Sequence, residues 1–499
     1  MTINKRAVRS IKNNIAFYII CIILTLLTSM LIVAAVSTGH TLTNVVSDFV
    51  DEYKAEDAEF VTYHPISDAD IETLEQDYDI ILEYGRYKDI TTKNEGYGDS
   101  VIRIFPMPEK LNLCEVRDGK RPESGEAMLT QNFADCHDIK VGDMVKLGDV
   151  SYKISAFATK SDYIYMLQEL SGYRDNEKFA LMIVGEADYE KIDAEEIGYY
   201  SIRYNKDNEK EVRKKLNNDY VIASYLAAAT NTRISMPVNE GEAVTNMAML
   251  FAPAMFIIVI ALIVMVLGRR IKNEQYLLGT FLALGFSKKQ IIRHYMRFGL
   301  LPGIAGSVLG VLCAIPFTKF LSYFFIEFDY EKLTYTNSYD VAAIVIAMVI
   351  PSVLYCLAIA WQTVRLLKKS PVELIRNTGK DSRTIGVMKN SPVKTATKLR
   401  VRSVIGHPGR SMVTVIGVCI AAFCILTGLI MKDSLDDLMD DGLTSSVKYE
   451  YLYRLNYLGE GEPEQGEALF QNYYEVEGST VQLSAQGIDA VSYTHLTLP

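Results

Sequence analysis

These 499 residues contain no phosphate-binding loop. Such a loop needs G-x-x-x-x-G-K-[ST], so that backbone N–H groups cradle the phosphates beside the lysine. The only Gly-Lys pairs are Gly119-Lys120 and Gly379-Lys380, and neither has a glycine five residues earlier or a Ser/Thr after it. The HExxH and G-x-S-x-G signatures are missing too. His64 and His137 lie far apart, with no metal-ligand spacing. Acidic pairs are plentiful, but on a solvated surface they serve solubility. The chain therefore reads as no enzyme, with no cofactor and no metal. Its formal charge is −10, without the basic footprint of a nucleic-acid binder. Of seven cysteines, Cys21, Cys313, Cys356, Cys419 and Cys424 fall in apolar runs, where small apolar packing is the default. Only Cys114 and Cys136 lie outside them. They pair in an oxidising exterior or stay as two free thiols; connectivity cannot be read from spacing.

Charged side chains are absent from five stretches of about twenty residues: 15–37, 247–267, 298–318, 341–361 and 411–431. Each is long enough to cross a ~30 Å hydrocarbon layer as a helix. The first has an apolar core longer than a signal-peptide h-region, although Ala34-Ala35-Val36-Ser37 faintly suggests a cleavage site.

Lysine and arginine give the direction. Segments 1–14, 268–297 and 362–410 together hold 23 basic and 3 acidic residues, so they carry +20 and the remainder −30. Five spans put all three on one side, which reads as the cytoplasm, with the amino terminus inside. The expected fold is an α-helical membrane protein with an α+β extracytoplasmic domain and five transmembrane helices. The expected parts are an N-terminal segment with helix 1 (1–38), an outer domain (39–246), helices 2–4 (247–376), a cytoplasmic linker (377–410), a fifth helix (411–431) and a second outer segment (432–499). A short outer loop near 322–338 joins helices 3 and 4.

Residues 5–11, KRAVRSI, match 398–404, KLRVRSV, and each precedes an uncharged helix. This repeat predicts that the four-helix unit begins again near residue 398. The second copy then stops after one span, so the chain reads as truncated. Val491–Pro499 resembles an assembly artefact and is left out of the functional reading.

In the outer domain, Asp48–Ala69 is acidic and reads as helical. Ile80–Phe105 alternates as strands do. After a Pro/Gly turn come a short strand, Ala127–Leu129, a short helix, and a strand pair, Met144–Leu147 and Tyr152–Ala158. Gly148-Asp149 suits the hairpin turn between them. Helices are expected within 186–230.

The segment 268–297, GRRIKNEQYLLGTFLALGFSKKQIIRHYMR, leaves helix 2 with a basic anchor at Arg269, Arg270 and Lys272. Leu277, Leu278, Phe281, Leu282 and Leu284 give an apolar face at helical spacing. Gly285 breaks that helix, and Ser287 caps a second short one running into helix 3. Such a face either lies on the bilayer or docks a cytoplasmic protein. Gly299, Gly303, Gly306 and Gly310 add small-xxx-small pairs suited to close helix contact, and Pro302 and Pro316 suit kinks.

Gly279, Ala283-Leu284-Gly285, Ser287-Lys288-Lys289 and Gln290 resemble the FtsX-like permease family, the membrane subunits of MacB/LolC-type ABC transporters. Ser370-Pro371-Val372-Glu373 is similar to that family's exit from helix 4. Gly119, Pro122, Glu126 and Val141-Gly142-Asp143 resemble the MacB-type periplasmic core. One departure is that the family often has an acid just before the first glycine, where this chain has Leu277-Leu278 and its nearest acid is Glu274. The resemblance implies an ATPase-coupling site at Glu274, Leu278, Gly279, Phe281, Leu282, Leu284, Gly285, Ser287 and Lys288. It implies a cytoplasmic ABC ATPase as partner, membrane lipid around the helices, and a second permease half or dimer. The alternative it implies is a membrane-anchored regulator that relays ATPase state to an extracytoplasmic partner such as a cell-wall hydrolase. Leu170-Ser171-Gly172 is too short for an ABC signature, so the ATPase must be a separate chain.

Overall fold

The structure is a computed structural model that describes residues 15–92, 97–148, 150–170, 174–376, 408–437, 469–475 and 482–488. The repeat blocks at 5–11 and 398–404, the linker beyond Arg376 and Val491–Pro499 lie outside the described residues. The chain divides into two compact units. The described residues of one fall within Met1–Thr41, Gly241–Ser322 and Asn337–Tyr451; those of the other within Leu42–Glu240, Tyr323–Thr336 and Leu452–Pro499.

Helix α1 (Ile15–Glu52) opens the described chain, followed by β1 (Ala58–Thr62) and α2 (Asp68–Tyr78). Asp48–Ala69 is therefore not helical throughout. The helix ends at Glu52, Lys54 takes φ 48°, and Ala58 and Phe60 are buried as a strand pairing on both sides. Sheet pairing overrides an acidic composition that by itself favours helix. Helix α2 is set by its ends. Ser67 Oγ accepts from the Asp70 N–H at 3.2 Å, acids occupy the first turn, and Asp79 stops it at φ 52°.

The rest of this unit is β-rich: β2 (Ile80–Thr92), β3 (Ser100–Pro106), β4 (Cys114–Arg117), β5 (Glu126–Leu129), α3 (Gln131–Cys136), β6 (Met144–Leu147), β7 (Val150–Lys160), β8 (Phe179–Val184), α4 (Glu186–Tyr189), β9 (Glu196–Tyr204), α5 (Glu209–Tyr220) and β10 (Ile222–Ala227). The expected strand, helix and hairpin of 127–158 are present, with Gly148 at φ 58° in the turn. The stretch 186–230 holds two helices and also two strands. The sheet runs β10-β1-β9-β2-β3-β8-β5-β7-β4, with β6 hydrogen-bonded to β7. The β3–β8 and β5–β7 pairs are parallel; the other pairs are antiparallel.

Every residue of β8 is buried, as suits a central strand covered on both faces. Its alternation sorts the core. Ala180, Met182 and Val184 pack with Ile102, Ile104, Phe133 and Ile154 on one face. Phe179, Leu181 and Ile183 pack with Phe105, Met128 and Tyr199 on the other. Among them, Arg103 is 1 % exposed and makes a two-pronged ion pair with Asp89 at 2.8 and 2.9 Å. Cys114 is buried, Cys136 is exposed, and both are free thiols.

The segment Tyr323–Thr336 belongs to this unit, although the sequence suggested only a short loop. Its Ile326, Tyr330 and Leu333 share a core with Ile164 and with Leu42, Val45, Val46 and Phe49 of α1.

The helical unit contains α6 (Thr232–Asn273), α7 (Gln275–Ala283), α8 (Lys288–Asp329), α9 (Val341–Leu366), α10 (Pro371–Arg376) and α11 (Pro408–Asp437), each taken here for the residues that fall in it. The last described pieces are a hairpin, β11 (Leu469–Glu475) with β12 (Gln482–Ile488). Among the described residues, four helical segments are long and apolar enough to cross a membrane: Tyr18–Glu52, Thr232–Ala261, Lys288–Asp329 and Val341–Leu366. The stretch 411–431 is helical within α11 but is not one of the four.

The glycine row of α8 faces two neighbours. A Cβ on Gly303 would lie 2.9 Å from Ser352 Cα of α9, and Gly299 lies against Ile359 and Tyr355. A Cβ on Gly306 or Gly310 would meet α1 instead, at 2.9 Å from Ile22 O and 2.7 Å from Leu26 O. Backbones this close are typical of small-xxx-small contacts in lipid. On α9, Val345, Val349, Val353, Leu357 and Trp361 form an exposed stripe at helical spacing, as hydrocarbon requires. The expected second short helix after Gly285 is the first part of α8, which runs 42 residues through Pro302 and Pro316. Neighbouring helices are what make such prolines tolerable.

Candidate functional site

The corner between α7 and α8 is built by local rules. Glu274 begins it and accepts a 2.9 Å hydrogen bond from Tyr295 Oη. After Ala283 the chain reverses at Gly285, whose φ of 84° is the left-handed conformation glycine supplies at least cost. The Gly285 N–H donates to Leu282 O at 3.1 Å and the Phe286 N–H to Phe281 O at 3.0 Å. This pair of bonds is a Schellman motif, and its usual apolar contact is present, with the Phe281 and Phe286 rings 5.6 Å apart.

The next helix starts just as firmly. The Ser287 N–H donates to Gln290 Oε1 at 2.9 Å, and the Gln290 N–H donates to Ser287 Oγ at 3.3 Å. This is a reciprocal capping box. Ser287 is thus the cap that its sequence position predicts.

Helix α10 uses the same device. The Ser370 N–H donates to Glu373 Oε2 at 3.1 Å and the Glu373 N–H to Ser370 Oγ at 3.3 Å. Pro371 stands at the first helical position, where a missing N–H costs nothing. The Ser-Pro-x-Glu exit is therefore a helix start, and its helix packs on α7. Gly279 makes that approach possible, since a Cβ there would lie 2.8 Å from Ile375 Cγ1 and 3.0 Å from Pro371 O. Leu278 and Leu374 are fully buried in the core that Ile291, Tyr295 and Ile359 share.

The nine expected site residues thus fall at one corner but divide by exposure. Leu278 and Gly279 are interior and hold the corner together. Glu274, Phe281 and Leu282 are half-buried. Leu284 is 69 % exposed, and Gly285, Ser287 and Lys288 are exposed with it. Lys289, Arg293 and Arg297 are exposed further along α8. The five apolar residues expected to share one face do not. Leu278 points inward and Leu284 out, because the helix ends before Leu284 completes the next turn. A hollow of about 150 Å³ lies beside the turn, lined by Phe281, Phe286, Gln290, Ile291 and His294.

Sequence reasoning missed α10 as the brace of this corner. The signal was Gly279 itself, read as part of a motif rather than as a contact. Among the described residues no group of acids, histidines and cysteines could hold a metal. A rigid corner with one projecting leucine and a cationic flank can bind another surface.

Residues 249–371 match the family described as FtsX-like permease C-terminal, which takes in α7, the turn, α8 and α9. No curated protein matches the chain. Among solved structures, one described as a lipoprotein from Bacillus anthracis is 11 % identical, with a TM-score of 0.19, covering 34 % of this chain and 96 % of its own. A likeness of that size carries nothing about fold or function.

Proposed function

We propose that this member of the FtsX-like permease family is the membrane subunit of an ABC transporter, driven by ATP hydrolysis in a separate cytoplasmic ATPase. The observation that carries the reading is the α7–α8 corner inside the matched segment. It is fixed by a Schellman motif and a capping box, and it presents Leu284 beside exposed lysines and arginines. Buried apolar anchors with a charged rim are how such surfaces bind. Leu278 and Gly279 would serve indirectly, by bracing the corner on α10.

The finer reading has the basic faces inside, the β-rich unit outside, 411–431 as a fifth span, and a second permease half or dimer partner in lipid. The +20 and −30 division of charge supports that orientation. Nucleotide-driven closure of the ATPase would push on the corner, and the outer unit would move to export or release a lipophilic or peptide substrate.

The test asks whether the chain, purified in detergent, brings an ABC ATPase with it. Leu284→Asp should abolish co-purification while leaving the melting temperature within about 2 °C, because an exposed leucine contributes little to folding. Retained binding by that variant would overturn the reading, as would labelling of Ser287→Cys from outside intact cells. ATP-dependent movement of substrate in vesicles separates a transporter from a regulator that only relays ATPase state.

A further inference from the structure

The segment Tyr323–Thr336 lies like a strap on the β-rich unit, seated by Ile326, Tyr330 and Leu333 in their apolar core and tied along its length by polar contacts. Asn132 Nδ2 donates to Tyr330 O at 2.7 Å, Thr159 Oγ1 to Lys332 O at 2.6 Å, and the Thr334 N–H to Glu115 Oε2 at 3.2 Å. Tyr330 also bonds Glu240, and Lys332 pairs with Asp135. At its centre sits Glu331, 1 % exposed. Its Oε1 accepts from the N–H groups of Gln131 and Asn132 at 2.7 and 3.0 Å. Its Oε2 is buried with no hydrogen-bond partner. An ionised carboxylate with one oxygen unpaired in the interior is costly; a neutral carboxyl there costs far less.

We propose that Glu331 is a proton-binding site that fastens this strap, seating it when the carboxyl is protonated and loosening it when the proton leaves. The titratable and charged groups on the strap and the elements packed against it are Asp329, Tyr330 and Lys332 on the strap, Glu240 bonded to Tyr330, Asp135 and Cys136 on α3, Glu115 bonded to Thr334, Tyr165 against Tyr330, Arg174 bonded to Phe328 O, and Asp175 with Glu177 before β8. Lys332, the cation nearest in the strap, is already engaged by Asp135. Burial pushes the Glu331 carboxyl up to about 7; the N–H groups of Asn132, Gln131 and Lys332 and the Lys332 charge pull it down by less.

The ordinary carboxyl value is 4.5, so seating takes up a proton between there and about 7. The contribution is fully present below the lower value and is lost as pH rises through the upper one. Across the whole range the seating constant changes on the order of 10²-fold, and between pH ~6 and pH ~8.5 about tenfold.

Hydrogen exchange on the full chain in lipid nanodiscs tests this, with rates corrected for intrinsic pH dependence. In the wild type, peptides covering 130–136 and 323–336 should lose about tenfold in protection from pH ~6 to pH ~8.5. Strand β8 serves as the unchanged internal reference. Glu331→Gln, which keeps an acceptor oxygen but cannot ionise, should hold high protection at both values. Equal wild-type protection at the two pH values would overturn the proposal, and so would a Glu331→Gln chain that keeps the wild-type pH dependence. If the variant fails to fold, the wild-type comparison alone decides.

Discussion

Replacing Gly279 with alanine sets two known effects against each other. Alanine is favoured over glycine inside a helix by about 1 kcal/mol. Against that, the new methyl would lie 2.8 Å from Ile375 Cγ1, 3.0 Å from Pro371 O and 3.1 Å from Leu374 Cβ. Two of those atoms belong to backbone or to a fully buried side chain, so α10 must retreat by a few tenths of an ångström. Overpacking of that kind costs about 1–3 kcal/mol. The net expectation is a loss of about 1 kcal/mol, seen as a fall of about 2–4 °C in melting temperature for the chain in nanodiscs.

Ile375 supplies the control. It is 38 % exposed, so Ile375→Ala is cheap alone and should restore most of what Gly279→Ala loses. Gly285→Ala should lose a comparable amount for another reason, strain at positive φ with open space around it, and Ile375→Ala should not rescue it. A rise in melting temperature for Gly279→Ala, or equal rescue of both variants, would show that α10 does not pack on α7 as described.

Two further outcomes follow from buried and capping groups. Glu56 is 1 % exposed, accepts from Asn112 Nδ2 and Ser201 Oγ at 2.8 and 2.6 Å, and is pushed up to about 8 by burial, then by Glu59 and Asp162. Its stabilisation is present below 4.5 and is lost as pH rises through about 8, so Glu56→Gln should flatten the alkaline fall in melting temperature by roughly several degrees. Matching pH profiles of wild type and variant would contradict this. Ser370→Ala removes one half of the α10 capping box and should cost about 1 kcal/mol, with faster hydrogen exchange at 371–376 and none at β8.

Local chemistry made part of this molecule readable. The hairpin of 144–160, the cap at Ser287 and the break at Gly285 each depend on residues within a few positions of one another. The glycine pairs of α8 were legible as close contacts, but not which helix each one meets. Features built from distant residues stayed hidden. Asn132 meets Tyr330 O across 198 positions, so nothing in 322–338 advertised a strap. Likewise, Ser370-Pro371-Val372-Glu373 read only as an exit from helix 4; the helix it starts packs on Gly279, almost a hundred residues earlier. At Asp48–Ala69 the acidic composition misled, because pairing with β9 and β10 decides the conformation of Ala58–Thr62.

The glycine row gives α8 a limited repertoire of movement. Gly299 and Gly303 fix one flank against α9, and Gly306 and Gly310 fix another against α1. Turning the helix by a single residue, about 100°, would swing Leu300 or Ile304 into a slot with no room for a side chain. Sliding lengthwise is hindered as well, because the side chains of Ile359, Thr25 and Ser29 sit against those same glycines. Within its own bundle, α8 is seated as a strut that neither spins nor slips freely.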